Sequence, residues 1–261
     1  MKPTKRAIAD GESASGSVNV ISRLGDIVFR PMGHWSSSVH ELLLYLEKAD
    51  FKFSPRFLGV DSSTEKEKLT YLDGEVALRP WPSVLRSLDG LAQIAEMLKR
   101  YHELVVDFQS SKNNWHLNDR AVPKTAIIRH GDIGPWNMVW KGDQLVGLID
   151  WDFAEPGTIL EDLAQTAWHC IPLKPAKRVA NVGELDENQK ERFEYFCRIY
   201  GVSTKDVLEV LPVIHDQELN RMRTHGVKGI QPWSSFLERG DLNVVTEDTE
   251  WLKLEKRNLL I

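Results

Sequence analysis

Short runs with a period near two open the ordered part of the chain. Val18–Arg23 and Asp26–Arg30 flank a turn at Leu24-Gly25 and predict two antiparallel strands, with Pro31 ending the ladder because it brings no N–H. The pattern then changes period. Val39, Leu42, Leu43 and Leu46 fall at i, i+3, i+4 and i+7, so a helix follows, with Ser36-Ser37-Ser38 offering its N-cap. Two more strands are predicted at 55–60 and 68–72, with the charged run 62–67 as their turn. Asp73-Gly74-Glu75 and Pro80-Trp81-Pro82 break the pattern and mark a boundary between residues 1–72 and 73–261. Beyond it, Leu88, Leu91, Ile94, Ala95, Leu98, Tyr101, His102 and Val105 line one face of a long helix. A strand at 126–128 leads to a hairpin whose arms are 138–140 and 145–149 around the turn 141–144. Helices are then predicted at 159–168, 187–200, 204–210 and 216–224, with a charged tail containing Trp251. Residues 1–15, polar and small, predict a mobile start and then a loop.

Composition narrows the class. Of the 261 residues, 42% are hydrophobic and 27% charged, as in an ordinary folded domain, and no apolar run approaches the ~20 residues of a bilayer span. The N-terminus has a basic start with no apolar segment behind it, unlike a signal peptide. A net charge of −5 argues against a protein that wraps nucleic acid. Cys170 and Cys197 have neither metal nor redox spacing and read as reduced core thiols. A cytoplasmic chain with no membrane or nucleic-acid partner is the expectation.

The chemistry is concentrated between Ile128 and Trp168. His130-Gly131-Asp132 and Asn137 form a His-x-Asp-x-x-x-x-Asn skeleton, and the hairpin returns to Asp150-Trp151-Asp152. A short hairpin brings its ends together, so Asn137 and Asp150 can face one point. Both offer hard oxygen ligands that suit Mg²⁺, with water and phosphate completing its shell. Asp132 then lies beside the metal and can take or orient the proton of an attacking alcohol, which is most of what phosphoryl transfer asks of a protein.

This order of elements is that of a kinase catalytic loop. With its Asp150-Trp151-Asp152 ending it resembles the aminoglycoside phosphotransferase and choline kinase group of small-molecule kinases. Val28-Phe29-Arg30-Pro31, Tyr71-Leu72-Asp73-Gly74-Glu75 and Phe153-Ala154-Glu155-Pro156-Gly157 look most similar to a bacterial subgroup that includes trifolitoxin immunity proteins. The resemblance implies an α+β, protein-kinase-like, two-lobed fold, with a small antiparallel N-lobe and a larger, mainly helical C-lobe. It implies ATP or GTP as donor, Mg²⁺ as cofactor and a small-molecule hydroxyl as acceptor, an antibiotic among the candidates. Asp132 is the implied base, and Asn137 and Asp150 the metal ligands. His130 would brace the loop, Asp162 would buttress it from the following helix, and Asp152 would add a second carboxylate. Nucleotide would lie under Ser15, Gly16 and Ser17 and against the connector at Tyr71.

One departure stands out. Where the family has a strand Lys that binds phosphates, this chain has Arg30, and the helix position expected to hold its Glu partner is Val39, with Glu41 one turn's adjustment away. That departure keeps a second reading open, an inactive or weak kinase-fold protein that binds a peptide or small toxin. A protein kinase fits less well, because no Ala-Pro-Glu segment follows Asp150. Glu155, Glu161, Asp186, Glu187, Asp216 and Glu218 read as a solvated acidic surface, with a pocket for a cationic acceptor as the alternative. Trp136 and Trp151 are packing residues or walls of the acceptor pocket. His215 and His225 read as surface or packing residues.

Overall fold

A computed structural model of the chain describes residues 11, 13–15, 20–117, 119, 121–124 and 126–260. Residues 1–10 of the expected mobile start lie outside these, but Ser13–Ser15 form a first strand, β1, where a loop was expected. It pairs with β2 (Val20–Leu24), which turns through Gly25-Asp26 into β3 (Ile27–Pro31). Pro31 is the last residue of the strand, one position later than the expected end. Helix α1 (Ser36–Lys48) follows and buries the predicted stripe of Val39, Leu42, Leu43 and Leu46. Its serines do not cap it. The N-cap is Trp35, and the Ser36 hydroxyl accepts the Gly33 N–H at 3.0 Å.

Strands β4 (Phe57–Asp61) and β5 (Lys66–Thr70) complete an antiparallel sheet of order β1-β2-β3-β5-β4. The pairing of β3 with β5 sets Arg30 directly opposite Glu67. A short strand that the sequence pattern did not suggest, β6 (Glu75–Val76), then crosses to pair with Val139 and Trp140 of the expected hairpin.

The rest is mostly helical. α2 (Ser83–Arg86) and α3 (Leu88–Val105) come first, and α3 buries the face predicted for it. β7 (Ile127–Arg129) enters the loop at His130, and a single 3-10 turn, Pro135–Asn137, leads to β8 (Met138–Lys141) and β9 (Gln144–Leu148). β10 (Glu155–Gly157) returns to pair with β7. α4 (Ile159–His169), α5 (Ala176–Val179), α6 (Gln189–Tyr200), α7 (Thr204–Thr224), α8 (Trp233–Glu238) and α9 (Asp241–Glu255) complete the chain. The two helices expected within 204–224 are one, continuous through Pro212. One apolar core runs from α1 through α3 and the hairpin to α9. Cys170 and Cys197 are free and buried in it, and burial pushes both thiols up to about 12. Among the described residues no helix is long and apolar enough to cross a membrane.

Candidate active site

The loop after β7 has no regular backbone pairing, so its amides need other acceptors. Helix α4 supplies them. Asp162, fully buried in its first turns, accepts the N–H of His130 at 2.9 Å and of Gly131 at 3.3 Å. One turn on, Gln165 accepts the Ile133 N–H at 2.8 Å and donates to the Gly131 carbonyl at 3.1 Å. His102 from α3 braces Asp162 at 3.3 Å and meets the Tyr200 hydroxyl at 2.8 Å. Burial pushes the Asp162 carboxyl up, but His102, Arg129 and the His130 amide outweigh it and hold it below the ordinary range. Asp162 therefore sits where a buttress belongs. Gln165 has the same role and no sequence signal of its own, since a lone Gln in a helix is unremarkable.

Gly131 is required by geometry. Its φ is +78°, and a Cβ there would lie 2.0 Å from the Phe153 carbonyl oxygen. The His130 ring packs edge-on to Trp151 at 4.5 Å, and its Nδ1 accepts the Asp132 N–H at 3.2 Å. Burial pulls its pKa down to about 4, so the ring is neutral and serves as a brace. Trp151 is buried beneath it and donates to the Leu148 carbonyl at 2.9 Å, so it is packing rather than a pocket wall.

Asp132 emerges half-buried from this frame. Its Oδ2 accepts the Asn137 side-chain N–H at 2.7 Å, and the Trp136 indole N–H reaches both carboxylate oxygens at 3.3 Å. Trp136 thus walls the space beside Asp132. The Asn137 amide also donates to the Asp132 carbonyl at 2.9 Å. The Asn137 NH₂ faces Asp132, so its carbonyl oxygen is the atom that could ligate a metal. The hairpin closes behind it, because the Ile149 N–H donates to the Asn137 backbone oxygen at 2.8 Å. The next residue, Asp150, takes left-handed backbone angles, φ 69° and ψ 63°, uncommon for a residue with a Cβ.

Arg30 reaches this turn from the sheet. Its Nη2 donates to Asp152 Oδ2 at 2.6 Å and to Asp150 Oδ1 at 3.2 Å, while its Nε faces Glu67 Oε1 at 3.6 Å. His40 holds the other Glu67 oxygen at 2.7 Å. Desolvation works against the guanidinium, but Asp152, Asp150 and Glu67 more than compensate, so it stays charged. Asp152 is raised to about 6, first by burial and then by Asp150 and Glu67, with Arg30 pulling the other way. Neither expected position on α1 gives Arg30 a carboxylate. Val39 is core, and Glu41 instead accepts the Ser110 hydroxyl at 2.7 Å and the Ser111 N–H at 2.9 Å. The carboxylate that orients Arg30 comes from its cross-strand neighbour.

Among the described residues no three His, Cys, Asp or Glu side chains gather as a metal site. Asn137 and Asp150 would offer a metal two oxygen ligands. Such a set fits Mg²⁺, which keeps several waters and takes phosphate oxygens, and would not fit a structural zinc.

The remaining predicted positions are spread out. Ser15 ends β1, its backbone opposite Val20, and Gly16 and Ser17 lie outside the described residues. Tyr71 has the Arg23 guanidinium over its ring at 3.5 Å, and its N–H donates to the Asp26 carbonyl at 2.8 Å. It lines a groove of about 620 Å³ with Asp73, Gly74, Glu75, Trp140 and Lys141.

Two of the expected surface acids are internal. Glu155 sits opposite Arg129 in the β7–β10 ladder, and both its oxygens accept from Arg221 at 3.0 Å. Arg221 also reaches Asp119 at 3.2 Å. Glu161 caps α4, accepting the Thr158 N–H at 2.7 Å, and accepts from Gln217 at 3.0 Å. Neither acid is a solvated charge or open to a cationic acceptor. This network anchors the strand that follows Asp150-Trp151-Asp152, and its pairings, 26 and 66 residues apart, left no local sequence signal. His215 is fully buried, a packing residue as expected.

Comparison with known proteins bears on the fold and on the stretch of chain that holds this loop. The model of the phosphotransferase enzyme family matches residues 107–194, which include the loop, the hairpin and α4. The trifolitoxin immunity protein of Rhizobium leguminosarum bv. trifolii is 34% identical over 158 residues, and the match spans 59% of this chain and 59% of that protein. Among solved structures, the GDP complex of aminoglycoside 2'-phosphotransferase-IIIa aligns over 96% of this chain and 93% of its own, with a TM-score of 0.56 at 14% identity. The gentamicin–APH(2")-IIa complex aligns over 100% and 95%, with a TM-score of 0.52 at 15% identity. The fold is the kinase-like fold of these phosphotransferases, with the small antiparallel sheet and larger helical part expected from the sequence.

Proposed function

We propose that this chain is a Mg²⁺-dependent phosphotransferase that moves the γ-phosphoryl group of ATP or GTP to a hydroxyl of a small molecule. The observation that carries the reading is the Asp132 carboxylate, held by Asn137 at 2.7 Å and by Trp136 beside the end of the hairpin that presents Asp150. Asp132 accepts the proton of the acceptor hydroxyl as its oxygen bonds to phosphorus and the β–γ bridging bond breaks, releasing ADP or GDP. Trp136 and Asn137 keep the carboxylate aimed. Arg30 supplies fixed positive charge at the far side of the turn, where developing negative charge on the nucleotide gathers. Mg²⁺, bound through Asn137 and Asp150, would neutralise phosphate charge and set the geometry of attack. Nucleotide binds between the part formed by 1–72 and the part formed by 73–261.

The test is turnover with nucleotide, Mg²⁺ and a panel of hydroxyl acceptors, in wild type and Asp132→Asn. Loss of a positioned base costs ~10²–10⁴ in rate, and the variant should keep its nucleotide-induced thermal shift. Turnover in Asp132→Asn above a tenth of wild type removes Asp132 from the role.

A second reading has two observations in its favour. Arg30 already neutralises Asp150 and Asp152, and a relative carries the name of an immunity protein. On that reading the cleft binds a peptide or small toxin and does no chemistry. Absence of any thermal shift with millimolar ATP or GTP, with Mg²⁺ or with EDTA, would favour it.

A further inference from the structure

The start of α1 and the turn that carries Asp150 and Asp152 lie far apart in the chain, and one ring joins them. Trp35, the N-cap of α1, stacks on His116 with ring centroids 3.9 Å apart and planes 26° from parallel. His116 meets Phe153, the last residue of the 3-10 turn after Asp150, at 4.6 Å and 30°. Trp35 and Phe153 make no ring contact with each other among the described residues, so the imidazole is the link between them. Trp233 of α8, buried, closes the group edge-on, 5.6 Å from Phe153 and 5.9 Å from His116.

The loop that carries His116 is itself fastened to α1. The Ser110 hydroxyl donates to Glu41 at 2.7 Å, and the Asn114 N–H donates to the Ser38 hydroxyl at 2.7 Å. Phe153 is seated on the catalytic loop, its carbonyl oxygen 2.0 Å from where a Gly131 Cβ would lie. The turn between them needs support, because Asp150 holds left-handed backbone angles, and such a conformation persists where the surroundings fix it. Polar bonds do not hold the His116 ring in place. Its Nδ1 is buried without a hydrogen bond, and burial, with His34 and Arg221 adding to it, pulls its pKa down to about 4. The ring is neutral and is gripped through its π-surface. Each aromatic contact of this kind is worth roughly 2–10-fold in an equilibrium.

We propose that His116 is a positioning residue: by stacking on both Trp35 and Phe153 it holds the turn that carries Asp150 and Asp152 in register with the start of α1. That the two carboxylates serve Mg²⁺ and nucleotide rests on the phosphotransferase reading, and the link itself does not. A flat ring is what the position requires, so phenylalanine serves there and a branched aliphatic side chain does not.

The experiment compares full-length wild type, His116→Phe and His116→Leu by amide hydrogen exchange and by nucleotide-induced thermal shift. The Ile149 and Ala154 amides, which donate to the Asn137 and Trp151 carbonyls at 2.8 and 3.0 Å, report on the turn, and those of α6 are the control. Exchange in the turn should be several-fold faster in His116→Leu with α6 unchanged. The Mg²⁺ concentration that gives half the ATP shift should rise about tenfold, as the loss of two ring contacts implies. His116→Phe should match wild type in both. If His116→Leu does not fold, Trp35→Leu breaks the same stack from the α1 side, with the same expectations. Equal turn exchange in wild type and His116→Leu overturns the link, and a Mg²⁺-dependent ATP shift in that wild type leaves the phosphotransferase reading standing. Loosening of the turn in both variants alike, or of α6 together with the turn, also overturns the link. A loosened turn with an unchanged Mg²⁺ requirement overturns the positioning role. Faster turn exchange in His116→Leu alone, with no ATP or GTP shift in wild type at any Mg²⁺ concentration, upholds the link and overturns the phosphotransferase reading.

Discussion

Asp162 is where the fold and the chemistry are most tightly joined, and Asp162→Ala tests that joint. The carboxylate accepts from two loop amides, at 2.9 and 3.3 Å, and from His102 at 3.3 Å, with no access to solvent. Truncation leaves the His130 and Gly131 N–H groups buried and unbonded, at about 1–3 kcal/mol each. His102 keeps Tyr200 but loses its second partner. We expect a total loss of about 3–5 kcal/mol, a large part of the ~5–15 kcal/mol that holds a domain together. At a urea m value of ~2 kcal/mol per M, the unfolding midpoint falls by about 2 M. Turnover falls as well, roughly 10²-fold, because a loop free to shift by an ångström misaims Asp132. Asp162→Asn keeps one acceptor and turns an NH₂ toward the other amide, so it should lose about half as much.

The pH dependence gives an independent check. The folded Asp162 carboxyl is held below its ordinary value, so its stabilising contribution is complete above the unfolded pKa of about 3.9 and disappears as pH falls through the lower folded value. The stability gap between wild type and Asp162→Ala is therefore flat from pH 6 to 8 and narrows only in strong acid. A variant within about 1 kcal/mol of wild type with ordinary turnover would refute the reasoning, and so would a gap that widens in acid. Either result would mean that Gln165 alone holds the loop.

Two further substitutions probe the turn. Gly131→Ala combines a φ of +78° with a Cβ 2.0 Å from the Phe153 carbonyl, and should cost about 2–4 kcal/mol by chemical denaturation; wild-type stability would show that the loop and the Phe153 turn are not locked together. Arg30→Gln leaves Asp150, Asp152 and Glu67 without their shared cation and should cost about 2–3 kcal/mol, the sites being partly open to water. Mg²⁺ should then raise the melting temperature of Arg30→Gln more than that of wild type, and an equal Mg²⁺ effect would show that Arg30 does not compete for Asp150.

What could be seen in the sequence was local. The hairpin and its flanking loop lie within one short stretch, where alternation, the Gly142-Asp143 turn and the spacing of polar residues are all set by near neighbours. The helices of the second half were harder for a specific reason. Pro212 lies in the gap between the two helices expected, yet the buried face of α7 runs on from Val207, Leu208 and Leu211 through Ile214 to Leu219 and Met222. α9 reads as a charged tail because two of its four buried residues, Asp248 and Thr249, are polar. Asp248 is buried by its bonds to Trp168 and Arg178, which no count of apolar positions includes.

The partner of Arg30 was missed for a different reason, and the signal was present. The sequence pattern puts Glu67 in the charged turn 62–67, whereas β5 begins at Lys66, and the expected position on α1 holds Val39. The carboxylate was across the sheet. Once β3 and β5 are paired antiparallel with Ile27 opposite Thr70, Glu67 must lie opposite Arg30, and an acid facing a base across two strands is a favourable pair in its own right. The substitution also changes what the cation depends on. A guanidinium oriented by a helix carboxylate keeps its aim only while that helix stays in place. Glu67 stands on the strand that pairs with the strand of Arg30, and His40 of α1 only braces it from behind. The direction of Arg30 is therefore fixed by sheet hydrogen bonds, and its fork is presented to Asp150 and Asp152 whatever small shift α1 makes. A lysine could not replace it there, because one ammonium cannot span Glu67 on one side and two carboxylates on the other. The residue type and its cross-strand partner therefore suit each other as one unit.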